Sequence, residues 1–215
     1  MSKKAVQFSV ILALFVFVAT ARNGLATPLL SGPASGSERT DGGATVGFNF
    51  TVGAQTLLVS HLGFWDKDTN GLLLEHPVGL WKADGTPLGN VTVLAADALT
   101  GQFRYHALTS PIPLDIGATY VIGAFVPGIL NTSDPGNDPW KNGGAVTFSA
   151  DVNTLGPRYN ISNPGALTFP EQTNGTPVAY TGPNLLYTII PEPTSFVLIG
   201  MGGIAFSRTV RRRGA

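Results

Sequence analysis

The chain has 215 residues, with 13 Lys and Arg against 13 Asp and Glu, 27 glycines, 16 prolines and no cysteine. The neutral total is unevenly distributed: residues 27–190 carry six basic and twelve acidic side chains, a net of −6, because the other cations lie at the two ends. A mildly acidic body has no basic stripe to neutralise phosphates, which argues against nucleic-acid binding, and without cysteine the fold must rest on a hydrophobic core.

Lys3 and Lys4 precede the apolar run Val10–Ala19, and the small-residue sites Ala19-Thr20-Ala21 and Gly24-Leu25-Ala26 follow. This order predicts a secretory signal peptide over residues 1–26, a signal helix cleaved after Ala26. The run is shorter than the roughly 20 residues of a membrane span. "SGPASGSERTDGG" (residues 31–43) is rich in Ser and Gly and predicts a flexible lead-in over 27–44.

From residue 45 to 190 a single domain of short strands is expected, bounded by Gly, Pro, Asn and Asp. "TVGFNFTV" (45–52) puts Val46, Phe48, Phe50 and Val52 on one face, and "TLLVSHLGFW" (56–65) is a longer strand. "HPVGLWKADGTPLGNVTV" (76–93) predicts a hairpin turning at Asp84-Gly85. "VTVLAADAL" (91–99) offers one helical turn. "GQFRYHAL" (101–108) alternates, "TYVIGAFV" (119–126) is nearly continuous apolar and therefore central, and "NLLYTII" (184–190) makes a last strand. Residues 131–177 are turn-rich, with short strands expected around 145–150 and 167–169. These elements predict an all-β, antiparallel β-sandwich of jelly-roll type.

The chain lacks a G-x-S-x-G elbow and an H-E-x-x-H pair, and His61, His76 and His106 sit in or beside strands as sheet residues. No carboxylate pairing stands out, so no enzymatic activity is expected. "DKDTNG" (66–71) begins like a calcium loop, with Asp66, Asp68 and Asn70 able to offer oxygens. Its twelfth position is Pro77 rather than Glu, and Glu75 falls two residues early. Asp, Asn and Gly serve a plain turn equally well. Apart from that calcium, no cofactor is expected. Trp65, Trp81 and Trp140 are candidates for stacking on sugar rings, Trp140 in the loop "DPGNDPW" being the one expected to be exposed, and a core role is the alternative for each.

The chain closes with "TIIPEPTSFVLIGMGGIAFSRTVRRRGA" (188–215). Pro191 and Pro193 end the last strand, and the apolar stretch before Arg208 and Arg211–Arg213 predicts a short transmembrane helix with the arginines on the cytoplasmic side. Pro191-Glu192-Pro193, a short glycine-containing apolar segment and the cluster Arg211, Arg212 and Arg213, in this order after a signal peptide, resemble the PEP-CTERM sorting signal of Gram-negative bacteria, here residues 191–215. The resemblance implies recognition and processing by an exosortase, transient residence in the inner membrane, and delivery to the cell surface or an exopolysaccharide or biofilm matrix. "LGFWDKDTNGLLLEHPVGLWKADGTPLGNVTV", "FRYHAL", "LDIGATYVIGAF", "DPW" and "GPNLLYT" resemble an uncharacterised bacterial extracellular β-sandwich domain, which implies the fold and no chemistry. The reading is an exported, non-enzymatic envelope or matrix protein. A carbohydrate-binding module for extracellular polysaccharide and a calcium-stabilised adhesive domain are its alternatives.

Overall fold

The computed structural model describes residues 25–175 and 179–191. The expected signal helix, the transmembrane helix and the tail residues Glu192, Pro193 and Arg211–Arg213 lie outside the described residues. Among the described residues fourteen strands follow in order: β1 (Thr27–Pro28), β2 (Ser37–Arg39), β3 (Ala44–Val52), β4 (Thr56–Trp65), β5 (His76–Lys82), β6 (Pro87–Val93), β7 (Ala98–Thr100), β8 (Phe103–Leu114), β9 (Thr119–Val126), β10 (Trp140–Asn142), β11 (Val152–Asn160), β12 (Gln172–Thr173), β13 (Tyr180–Thr181) and β14 (Pro183–Ile190). Among the described residues no helix is long and apolar enough to cross a membrane.

A five-stranded sheet, β1-β14-β4-β8-β7, faces a six-stranded sheet, β12-β11-β3-β9-β5-β6, and the small sheet β13-β10-β2 closes one end. Every named strand pair is antiparallel. The expected sandwich is the observed architecture. Alternation places Val46, Phe48, Phe50 and Val52 inward from β3, against Leu57, Val59, Leu62 and Phe64 of β4, all buried. Burying side chains of this size stabilises by about 1.5–3 kcal/mol each before entropy is counted.

Strand β9 is central, flanked by β3 and β5, and its continuous apolar run has a reason on each face. Ile122, Ala124 and Val126 join the core. The outer face carries a row of three glycines, Gly79↔Gly123↔Gly47, aligned across β5, β9 and β3. The row leaves room for the Trp81 ring over Gly79 and for the Pro170 ring against Gly123. Phe169 packs edge-on to Trp81, with ring centroids 6.0 Å apart, so the segment before β12 covers this face. The β5–β6 hairpin turns where expected: Gly85 takes φ +89°, and Lys82 N–H donates to the Thr86 carbonyl at 2.9 Å.

Three expectations are corrected. Residues 27–44 are part of the fold rather than a flexible lead-in: Leu29, Leu30 and Ala34 are buried, β1 pairs with β14, and β2 pairs with β10. The helical turn at 91–99 is the end of β6, a turn closed by Leu94 N–H on Asp97 Oδ2 at 2.7 Å, and the start of β7. The strand expected around 145–150 is only an isolated bridge from Phe148 to Leu30, and 167–169 forms no strand. The long strand of this region is β11, displaced by a bulge between Thr154 and Gly156.

The register gives the sandwich two poles. Strand β14 runs from Pro183, paired with Phe64, to Ile190, paired with Thr56. Thr27 of β1 pairs with Tyr187, so both ends of the folded body lie toward the pole that holds the β3–β4, β5–β6 and β8–β9 turns. The opposite pole holds the loops before β3, after β4 and after β9. At about 3.3 Å per residue, the eight residues of β14 separate the poles by about 25 Å.

Candidate functional site

The pole opposite the chain ends gathers the polar side chains. Its centre is the loop "DPGNDPW", which folds first as a turn: Asp134 Oδ1 accepts from Gly136 N–H at 2.8 Å. The loop then sends three buried side chains inward. Asn137 Nδ2 donates to the carbonyls of Pro127, at 2.6 Å, and Thr40, at 3.1 Å. Asp138 accepts from the Leu73 and Leu74 amides at 2.9 and 2.8 Å and from His76 Nε2 at 3.0 Å. Trp140 Nε1 donates to the Asp41 carbonyl at 3.0 Å. One loop thus fastens the chain before β3, the end of β9 and the start of β5.

Above Trp140 lies an ion pair. Arg39 and Asp41 bond in bidentate fashion, Nε to Oδ1 at 2.7 Å and Nη2 to Oδ2, and Arg39 Nη2 also reaches Asn131 Oδ1 at 3.0 Å. Asp41 Oδ2 accepts the Asn131 amide at 2.8 Å. Burial pushes the Asp41 carboxyl up, but the Arg39 guanidinium and that amide outweigh it and hold it below its ordinary value. Asn131 takes φ +60°, a left-handed conformation that Asn tolerates better than most residues. The Arg39 guanidinium lies 5.1 Å over the Trp140 ring, and Tyr180 meets that ring edge-on at 5.3 Å.

Two depressions share this rim. A cavity of about 130 Å³ runs inward among Val46, Val126, Trp140, Tyr159 and Tyr180. An open polar depression of about 440 Å³ is lined by Glu38, Arg39, Thr40, Asp41, Asn131 and Ser133. Arg39, Asp41 and Asn131 belong to both. The arrangement presents hydroxyls, a guanidinium and carboxylates above an aromatic floor, groups suited to binding a polyhydroxylated ligand.

The tryptophans do not present faces to solvent. Trp140 is 4 % exposed, Trp65 3 % and Trp81 7 %. The expected exposure of Trp140 is corrected, because its ring is covered by Arg39 and its nitrogen is spent on Asp41. Trp65 lies at the same pole under Lys141 Nζ, 5.3 Å from its ring, while Trp81 lies on the outer face of the six-stranded sheet. The residues sequence reasoning missed are Arg39, Asp41 and Asn131. The closeness of Arg39 and Asp41 was visible, but their partner stands 90 positions away.

Asp66, Asp68 and Asn70 fall in a turn at this pole. Asp66 is buried, and its Oδ2 accepts the Gly71 amide at 3.0 Å and Arg104 Nε at 2.7 Å. Asp66 Oδ2 is thus engaged by a cation of the chain itself, with which a calcium ion in this turn would compete. Asp68 and Asn70 are exposed. Among the described residues no three His, Asp or Glu side chains come together as a metal-binding group. His106 Nδ1 faces Asp97, His61 Nδ1 bonds Ser60 Oγ at 2.8 Å, and His76 is stacked on Phe64, so each histidine is engaged within the sheets.

Of the sorting triplet, Pro191 is described. It is exposed and follows β14 directly, while Glu192 and Pro193 lie outside the described residues.

The chain is similar to the family described as Domain of unknown function (DUF4082) over residues 30–180. Residues 190–213 match the PEP-CTERM protein-sorting motif. No curated protein matches the chain.

Proposed function

Because the chain belongs to the DUF4082 family and carries the PEP-CTERM protein-sorting motif, we propose that its body is a non-catalytic envelope or matrix module that holds extracellular polysaccharide at the pole opposite its sorting tail. The motif is read by an exosortase, and the chain is exported across the inner membrane and processed to the cell surface or extracellular space.

The observation that carries the finer reading is the shared rim of Arg39, Asp41 and Asn131 above an open polar depression. Ligand sites fix orientation through a small number of placed polar groups, and the side chains of Glu38, Thr40, Asp41 and Ser133 line this depression. The position of the rim supports the reading as well: it lies about 25 Å from the end of β14, the distance set by eight residues at 3.3 Å each. A site there faces away from the membrane while the tail holds the protein. The buried carboxylates and imidazole of this pole, Asp66, Asp138 and His76, are engaged in fastening loops, which favours a binding role over catalysis.

The test is affinity electrophoresis of the purified body in gels containing the matrix polysaccharide of its own cells, with Thr40→Ala/Ser133→Ala and Arg39→Ala beside the wild type. Retardation of the wild type, weakened in the variants while their melting curves stay cooperative, is the expected result. Equal migration of all forms with and without polysaccharide removes the binding reading.

A further inference from the structure

Strand β14 ends at Ile190, and the sorting motif begins at that same residue. No linker separates the last ladder pair, Ile190↔Thr56, from Pro191. Leu186 and Tyr187 are buried, so only Thr188–Ile190 could yield slack without opening the core. From Pro191 to Phe196, the first large apolar residue of the tail, there are five residue steps, which span at most about 18 Å even when fully extended. An enzyme that reads the triplet from the membrane is therefore brought against the folded body itself.

We propose that the tail-side pole of the sandwich, centred on Ile116, Ile189 and Ile190, is the surface on which the exosortase seats. These three side chains are 47 %, 41 % and 38 % exposed. The register brings them to one pole: Ile190 pairs with Thr56, the next residue Leu57 pairs with Leu114, and Ile116 lies two residues further in the β8–β9 turn. Gly117 and Ala118 are tied back to Val52, N–H to carbonyl and carbonyl to N–H, both at 3.0 Å, so the turn presenting Ile116 is fixed. Ile189, in register with Leu57, and Ile190, in register with Thr56, point to opposite faces of the strand end, so this pole offers exposed apolar side chains on both sides of β14 beside an exposed Pro, which suits a protein partner with an apolar rim. A lipid surface suits it less. The same pole carries Asp84, Asp115 and Asp151 against Lys82, and anionic headgroups repel such a surface.

The experiment follows removal of the tail from the full chain by pulse-chase and intact mass in cells that contain the exosortase. Wild type, Ile116→Glu and Ile116→Ala are compared, each also with a Gly-Ser linker of about ten residues between Ile190 and Pro191, which adds a mean span of about 17 Å. Expected is processing slowed roughly tenfold in Ile116→Glu, a loss of that size being a modest fraction of an interface, less in Ile116→Ala, with both restored by the linker. Ile116→Ala leaves the turn intact and keeps the comparison valid should the Glu variant misfold. Wild-type rates in both direct fusions overturn the proposal. So does slowing that the linker does not relieve, since the defect would then not arise from contact at the pole.

Discussion

The ring of His76 lies between two acceptors: Nε2 is 3.0 Å from Asp138 Oδ2, and Nδ1 is 3.2 Å from the Phe125 carbonyl. The ring is fully buried and stacked on Phe64, with centroids 3.8 Å apart. Both ring nitrogens of His76 are thus within hydrogen-bond distance of an oxygen, one of them on the Asp138 carboxyl. This pair joins β5, β9 and the loop before β10 at the pole that carries the depressions.

Breaking the pair from one side leaves a buried polar group without its partner, a change that costs about 3–5 kcal/mol. Asp138→Asn also turns an amide group toward donors. We expect its melting temperature to fall by about 10 °C, at about 2–4 °C per kcal/mol for a domain of this size. Differential scanning calorimetry checks this, and a shift within a degree or two of wild type would show that the pair contributes little.

The same group sets an acid limit. Burial pushes the Asp138 carboxyl up, but His76 and the Leu73 and Leu74 amides outweigh burial and hold it below its ordinary 3.8. Its folded value thus lies below its unfolded value of about 3.9. The stability it contributes is complete above that unfolded value and is lost as pH falls through the folded one. Asp41 and Glu38 are lowered as well, Glu38 chiefly by its hydrogen bond to Lys67. Urea midpoints should be flat toward neutral pH and drop below about pH 4, with a shallower drop in Asp138→Asn.

Trp140 is fixed by its hydrogen bond to Asp41, by Arg39 above its face and by Tyr180 at its edge. Trp140→Ala should cost about 3–5 kcal/mol, so any loss of polysaccharide retention in that variant reports a damaged fold. Trp140→Phe keeps most of the apolar volume and leaves the Asp41 carbonyl unpaired, at about 1–3 kcal/mol. Urea denaturation should rank the two in that order, and retention should persist in Trp140→Phe.

The strands with regular period were legible in the sequence. Val46, Phe48, Phe50 and Val52 announced β3, Asp84-Gly85 announced the hairpin, and the apolar run 119–126 announced a strand covered on both faces. Strand β11 was hidden because Pro157 and the bulge at Gly156 break its alternation. Residues 27–44 read as flexible from Ser and Gly, yet the doublet Leu29-Leu30 was the sign of an anchored segment. The polar rim was least legible. Asp41 finds Asn131, and Trp140 finds Asp41, across 90 and 99 positions, and no local pattern encodes such pairings.

The outer face of β5 depends on the missing side chain at Gly79. A Cβ there would run into the Trp81 ring, and that ring is held by Phe169. Gly79→Ala should expel the indole, costing about 1–3 kcal/mol or more as overpacking, with a red shift in tryptophan emission. Gly123→Ala meets Thr45 and Pro170 at 3.0 and 3.1 Å and should cost less. Equal melting temperatures for both variants and wild type would show that the covering segment gives way freely.

Calcium is the last question the 66–71 turn raises. Asp66 Oδ2 already serves Gly71 and Arg104, and Arg104 Nη1 goes on to the Asp97 carbonyl at 2.8 Å. The guanidinium does at this turn what a bound cation would do, neutralising a buried carboxylate and tying β4 to β8. Wild-type melting should therefore be unchanged by calcium or by chelator. Arg104→Ala strips the charge from beside Asp66 and should destabilise by about 3–5 kcal/mol, as loss of one partner of a buried pair does. In that variant alone, millimolar calcium should recover part of the loss, since a ligand that binds only the folded state stabilises it in proportion to the logarithm of its saturation. A rise of several degrees in the wild type on adding calcium would instead mean that Arg104 and the ion coexist, and would support the calcium-stabilised reading.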